Sequence, residues 1–172
     1  NFYGQFLLYE FSLSDMKSGD KCWKNKYGYQ LGAKYYNAFK VKNLLLQAEY
    51  NHVRPYVYAH SDVLTNYGHN NQSLGHQWGG NFKEFIGIAR YHYRRYFADA
   101  KLTVGKRGLD FANSGANSNF GGDIYRDYDD ERFSDTGVGV GQGNTTNIFI
   151  ADLQAGYLLN PATNLKLFGS LI

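Results

Sequence analysis

The sequence predicts an all-β chain: about seven antiparallel strands connected up and down, with short and long links in strict alternation. Three observations carry that prediction. Apolar residues recur with period two in seven segments, the signature of strands with two unlike faces. No stretch repeats apolar residues at three and four over several turns, so helical signals are nearly absent. The composition is rich in strand and turn formers, with 16 Tyr, 12 Phe and 20 Gly but only 2 Pro.

The expected strands, in order, are Gln5–Leu13, Tyr27–Phe39, Asn43–Val53, Glu84–Tyr93, Phe97–Lys106, Ile148–Leu159 and Asn164–Ile172. Short links fall at Lys40–Lys42, Arg94–Tyr96 and Asn160–Thr163, the last opening on the turn-forming Asn160-Pro161 pair. Long links fall at Ser14–Lys26, Arg54–Lys83 and Arg107–Asn147. Hairpin-joined neighbours then collect every tight turn at one end and every long loop at the other. That is the pattern of outer-membrane barrels, with short periplasmic turns and long extracellular loops. The chain ends while an apolar alternation is still running and begins without a leader, so the whole of 1–172 is expected to be the C-terminal part of a single barrel domain, about seven strands of it.

The two faces of each segment differ. One face is read as Leu7, Tyr9, Phe11 and Leu13 in the first strand, then Tyr27 to Tyr35, Leu44 to Tyr50, Phe85 to Tyr93, Ala98 to Val104, Ala151 to Leu159 and Leu165 to Leu171, taking alternate residues. No charge is expected on it. The opposite face takes Glu49, Arg90, His92, Asp99, Lys101, Asp152 and Gln154, which are expected to line a wet lumen. Tyr27, Tyr29, Tyr50, Tyr91, Tyr93 and Tyr157 sit near strand ends, where a ring that is apolar in body and polar at its tip suits the headgroup level. A mean hydropathy of −0.51 and the absence of any 18-residue apolar run rule out a membrane-spanning helix, but a barrel wall escapes that test because only alternate residues meet lipid.

Charge excludes little else. Lys and Arg total 18 against 15 Asp and Glu, too even for a nucleic-acid surface. The single Cys22 can form neither an internal disulfide nor a cysteine-rich metal site.

Candidate chemistry concentrates in the loops. Arg54–Lys83 carries His60, His69 and His76, whose gaps of nine and seven do not match zinc-ligand spacing, so no metal is expected. Tyr56, Tyr58, His60, Asn66, Tyr67 and Trp78 combine flat rings with amide and imidazole groups, the chemistry that stacks on and hydrogen-bonds a sugar, and are candidate glycan contacts. Gly121–Phe133 gathers five acids without a calcium-loop order, and Arg126 and Arg132 point to internal ion pairing. Gly137–Gly143 is glycine-rich but lacks the lysine and following helix of a phosphate loop. Ser61-Asp62 beside His60 is adjacency without triad geometry, so no enzyme and no cofactor are expected.

From about Glu49 to Ser170, the stretches beginning at Asn51, GKRGLDF (Gly105–Phe111), GGDIYRDYD (Gly121–Asp129), GQGNTTNIF (Gly141–Phe149) and ADLQAGYLLNPATNLKLFGS (Ala151–Ser170) resemble Bacteroidota outer-membrane barrels related to the capsule-assembly (Wzi-like) family and associated with gliding motility. The resemblance implies a non-enzymatic outer-membrane protein of cell-surface organisation, serving gliding motility, a secretion apparatus or attachment of surface polysaccharide. Its partners would be membrane lipid or lipopolysaccharide, surface polysaccharide, and other motility or secretion proteins, with no nucleic acid. A porin-like channel is the alternative; a secreted soluble β-protein is the third reading.

Overall fold

The computed structural model describes residues 1–111 and 118–172. Seven strands form one antiparallel sheet: β1 (Phe2–Glu10), β2 (Lys26–Tyr36), β3 (Leu44–Val53), β6 (Phe82–Tyr93), β7 (Tyr96–Leu109), β8 (Asn144–Asn160) and β9 (Leu165–Leu171). They are hydrogen-bonded in that order, each to its sequence neighbour in the sheet, with β1 and β9 at the edges. A second, two-stranded sheet pairs β4 (Gly68–His69) with β5 (Gln72–Ser73) inside the longest link of the first half. Short and long connections alternate as the sequence implies. A one-turn helix, Leu13–Ser18, was not anticipated; Ser12 caps its start by accepting from the Asp15 amide, and Gly19 ends it at φ +75°.

The register stacks the residues in rows across the sheet. One face reads, from the long-loop end, Phe6–Tyr29–His52–Lys83–Lys106–Asn147 and Gly4–Leu31–Tyr50–Phe85–Val104–Phe149. Next come Phe2–Ala33–Ala48–Gly87–Leu102–Ala151 and Tyr35–Leu46–Ala89–Ala100–Leu153–Leu171. Leu44–Tyr91–Ala98–Ala155–Gly169 and Tyr93–Tyr96–Tyr157–Leu167 close the short-turn end. Aromatic rings therefore bracket a band of Ala, Gly and Leu. Tyr29 stacks on His52 at 4.9 Å at one end, and Tyr96 meets Tyr157 edge-on at 5.0 Å at the other.

In β1 the face is inverted: Gly4, Phe6 and Leu8, not Leu7 and Tyr9, share the side of Leu31, Tyr29 and Tyr27. The cause is a bulge. The register slips between Leu8 and Glu10, so Glu10, the only charge available to set the phase, faces Lys26 from beyond the irregularity. One extra residue reverses the parity of everything before it. Phe11 and Leu13 lie outside the strand altogether. The Leu/Tyr face is also not free of charge: β6 runs further than expected and carries Lys83 onto the upper row, opposite Lys106, which ends the expected fifth strand in phase with Ala98 to Val104.

Toward the long-loop end, and along β8, the burial pattern is the reverse of a water-soluble sheet, while Arg90, His92 and Lys101 nearer the tight turns are exposed. Glu84 and Thr103 on the polar face are 2% and 5% exposed, while their neighbours Phe85 and Val104 on the apolar face are 44% and 42% exposed. Along β8, Asp152 and Gln154 are half-buried while Ala151, Leu153 and Ala155 are exposed. The molecule exposes 10712 Å², where a compact monomer of this mass would expose roughly 8,600 Å².

Candidate functional site: a capped polar face

The long links fold over the polar face at the end opposite the tight turns. Leu7, Val53 and Phe82 point inward from β1, β3 and β6 and meet Val57, Tyr58, Ile124, Trp78 and Tyr125 from the loops in one cluster. Trp78 packs over Gly105, which leaves room for it; a Cβ there would come within 2.5 Å of the indole. Tyr3 covers Gly32 in the same way.

Beneath this cap runs a hydrogen-bonded chain of polar side chains. The Tyr3 hydroxyl donates to Glu49 Oε2 at 2.6 Å and accepts from Gln47 Nε2 at 2.8 Å. Gln30 Nε2 and Asn51 Nδ2 donate to Glu49 Oε1 at 2.9 and 3.0 Å, and Asn51 Nδ2 also reaches Glu84 Oε2 at 3.0 Å. His76, from the loop, closes the chain on Glu84 at 2.8 Å. Buried carboxylates persist only with such partners. The chain ties the loop to the sheet rather than presenting an open reactive group.

The other residues read from the sequence as lining a lumen share this face by register. Arg90 stands opposite Asp99 and Asp99 opposite Gln154; Arg90 and Asp99 approach to 3.9 Å. Lys101 stands opposite Asp152, and His92 lies beside the Phe97 ring. These groups lie toward the tight-turn end, away from the cap.

The six ring and amide candidates are not gathered into one open surface. Tyr56 is 1% exposed and its hydroxyl donates to the Asn119 carbonyl at 2.6 Å. Burial holds its phenol well above the usual range. Tyr58 is buried, its phenol also raised by burial, and stacks on Tyr67 at 5.6 Å. His60 lies edge-on to Tyr9 and Tyr128, Asn66 donates to the Ile124 carbonyl, and Trp78 packs on Phe82. Of the six, Tyr67 alone is exposed. His60, His69 and His76 diverge, and among the described residues no three His, Cys, Asp or Glu side chains converge as a metal would need.

What organises the cap was not visible in the sequence. Asn81, wholly buried and at φ +58°, donates through Nδ2 to the carbonyls of Gly108, Phe120 and Gln142 at 3.0–3.1 Å and accepts from the Gly141 amide at 2.7 Å. Asn119 does the same for its own loop, donating to Asp127 and Asp130 carbonyls and accepting from the Gly121 amide. Asp110 accepts from the Phe120 and Gly122 amides, although burial still raises its carboxyl above the ordinary value. Lys26, wholly buried, pairs with Glu10 at 3.1 Å and sits 3.7 Å from the Tyr128 ring and 4.8 Å from Trp23. Arg132 covers the Trp23 ring at 3.9 Å while pairing with Asp129 and Asp135. Arg126 pairs with Asp130 and Glu131, so the acidic run is tied internally.

Comparison of the chain with family models, with curated protein sequences and with solved structures gives no match in any of the three.

Proposed function

We propose that this sheet is a section of an outer-membrane β-barrel wall, closed by further strands at the β1 and β9 edges, and that the protein is a non-enzymatic organiser of the cell surface rather than a channel. The observation that carries the reading is the inverted burial: Phe85, Val104 and Leu153 face outward while Glu84, Thr103 and Asp152 face inward. Water would favour the opposite arrangement, and hydrocarbon favours this one. The dimensions agree. From Phe85 to Tyr93 the strand rises about 27 Å at ~3.4 Å per residue. At a tilt of ~40° that is about 21 Å of height, close to the roughly 25 Å apolar band of such walls. Unpaired edges are not tolerated in lipid, so β1 and β9 pair with additional strands in the membrane.

The cap supports organisation over permeation. Loop residues from Pro55 to Ala59 are buried against the polar face, joined to it by the His76–Glu84 contact and the Val57–Phe82 cluster. A protein that attaches polysaccharide or docks motility or secretion components needs a rigid outer platform of this kind, whereas a general porin needs an open lumen. The full-length protein reconstituted in planar bilayers is expected to be electrically silent, and deletion of residues 62–78 is expected to open a steady conductance. A large steady conductance from the intact protein would favour the porin alternative.

A further inference from the structure

We infer that Lys83 and Lys106 form a binding site for the phosphate of a lipid headgroup on the outer wall at the long-loop boundary. The inference rests on the proposed membrane-facing role of the apolar face and adds a specific occupant to it.

Lys83 and Lys106 are directly opposed in the β6–β7 register and lie on the same face. Opposed residues have Cβ atoms about 5 Å apart, and like charges in that position repel. Nothing in the described chain compensates them. Neither lysine takes part in an ion pair there. The row is completed by Phe6, Tyr29, His52 and Asn147, none of them acidic, and the row below is Gly4, Leu31, Tyr50, Phe85, Val104 and Phe149. The Arg54 guanidinium, over the Tyr27 ring at 5.4 Å, adds positive charge and is committed to the carbonyls of Lys21, Cys22 and Val138.

The position of the pair selects the occupant. It stands in the same row as Phe6, Tyr29 and His52, at the aromatic boundary of the wall nearest the long loops, the level of the headgroups. Lys83 is exposed, and Lys106 lays its alkyl stem over Gly141 and is half-exposed, so both ammonium groups can reach outward from an apolar base. Two ammonium groups side by side make a point-charge clamp for one phosphate, which removes their mutual repulsion on binding.

The test uses the full-length protein in neutral detergent, titrated with phosphatidylglycerol, with phosphatidylcholine and with inorganic phosphate, and read by native mass spectrometry. Wild type is expected to retain phosphatidylglycerol in preference to phosphatidylcholine. The double substitution Lys83→Gln/Lys106→Gln is expected to weaken phosphatidylglycerol binding about thirtyfold, as loss of two basic residues at a lipid surface implies. Lys83→Arg/Lys106→Arg is expected to retain it, and both variants should melt close to wild type because neither lysine holds an internal ion pair. Equal phosphatidylglycerol affinity in wild type and the Gln variant overturns the site, as does capture of inorganic phosphate as tightly as the lipid. Either result leaves the membrane wall standing; that reading fails separately if wild type remains monodisperse without detergent.

Discussion

Replacement of Asn81 by leucine is expected to destabilise the protein by about 4–6 kcal/mol, because one buried side chain satisfies four backbone groups from separate segments. Removing it takes a hydrogen bond from the carbonyls of Gly108, Phe120 and Gln142 and from the Gly141 amide, and puts a branched residue at φ +58°. Asn81→Gly separates the two causes. It restores the backbone freedom but not the hydrogen bonds, so most of the loss is expected to remain. Asn81→Asp keeps the bond from Gly141 and turns the other three into repulsions between oxygens. The thermal midpoint and the rate of limited proteolysis within 118–143 report the effect; a loss below ~1 kcal/mol would remove Asn81 as the organiser of the cap.

A lysine at Leu153 is expected to cost about 2–4 kcal/mol and to block insertion, the penalty for a cation near the midplane of a barrel wall. A lysine at the adjacent Gln154, on the polar face, is expected to be tolerated. The sign of this comparison is informative. Leu153 is 52% exposed and Gln154 is half-buried. If water covered both faces, a lysine at the more exposed site would be nearly neutral and the half-buried site would suffer more. Folding yields into lipid vesicles, compared between the two variants, distinguish these orders.

Much of the sheet was legible in the sequence because period-two alternation depends only on neighbours along the chain. Leu46 to Tyr50 and Ala98 to Val104 alternate cleanly, and the register joins them into common rows. β1 was legible as a strand but not in its phase. Both of its faces are apolar, Phe2, Phe6 and Leu8 against Tyr3, Leu7 and Tyr9, and its one charge stands beyond a bulge that no local pattern announces. The cap was less legible still. Asn81 acts through backbone groups 27 to 61 residues away and Asn119 through groups across its own loop, and their identity as asparagines hints only at turns. The loop rings were visible as a cluster of Tyr, His and Trp, but whether a ring faces solvent or the core depends on tertiary packing; Tyr56 and Tyr67 differ in burial though both lie in the same link.

On the proposed reading, lipid hydrocarbon covers the face bearing Leu46 and Leu153. Single cysteines placed at Phe6, Leu46 and Leu153, and as controls at Leu7, Gln47 and Gln154, each in a Cys22→Ser background, can carry an environment-sensitive fluorophore in vesicles whose acyl chains bear a quencher. Strong quenching is expected at Phe6, Leu46 and Leu153 and weak quenching at Leu7, Gln47 and Gln154, an alternation that follows the register and includes the inverted phase of β1. Equal quenching on both faces, or none at Leu46 and Leu153, would contradict it.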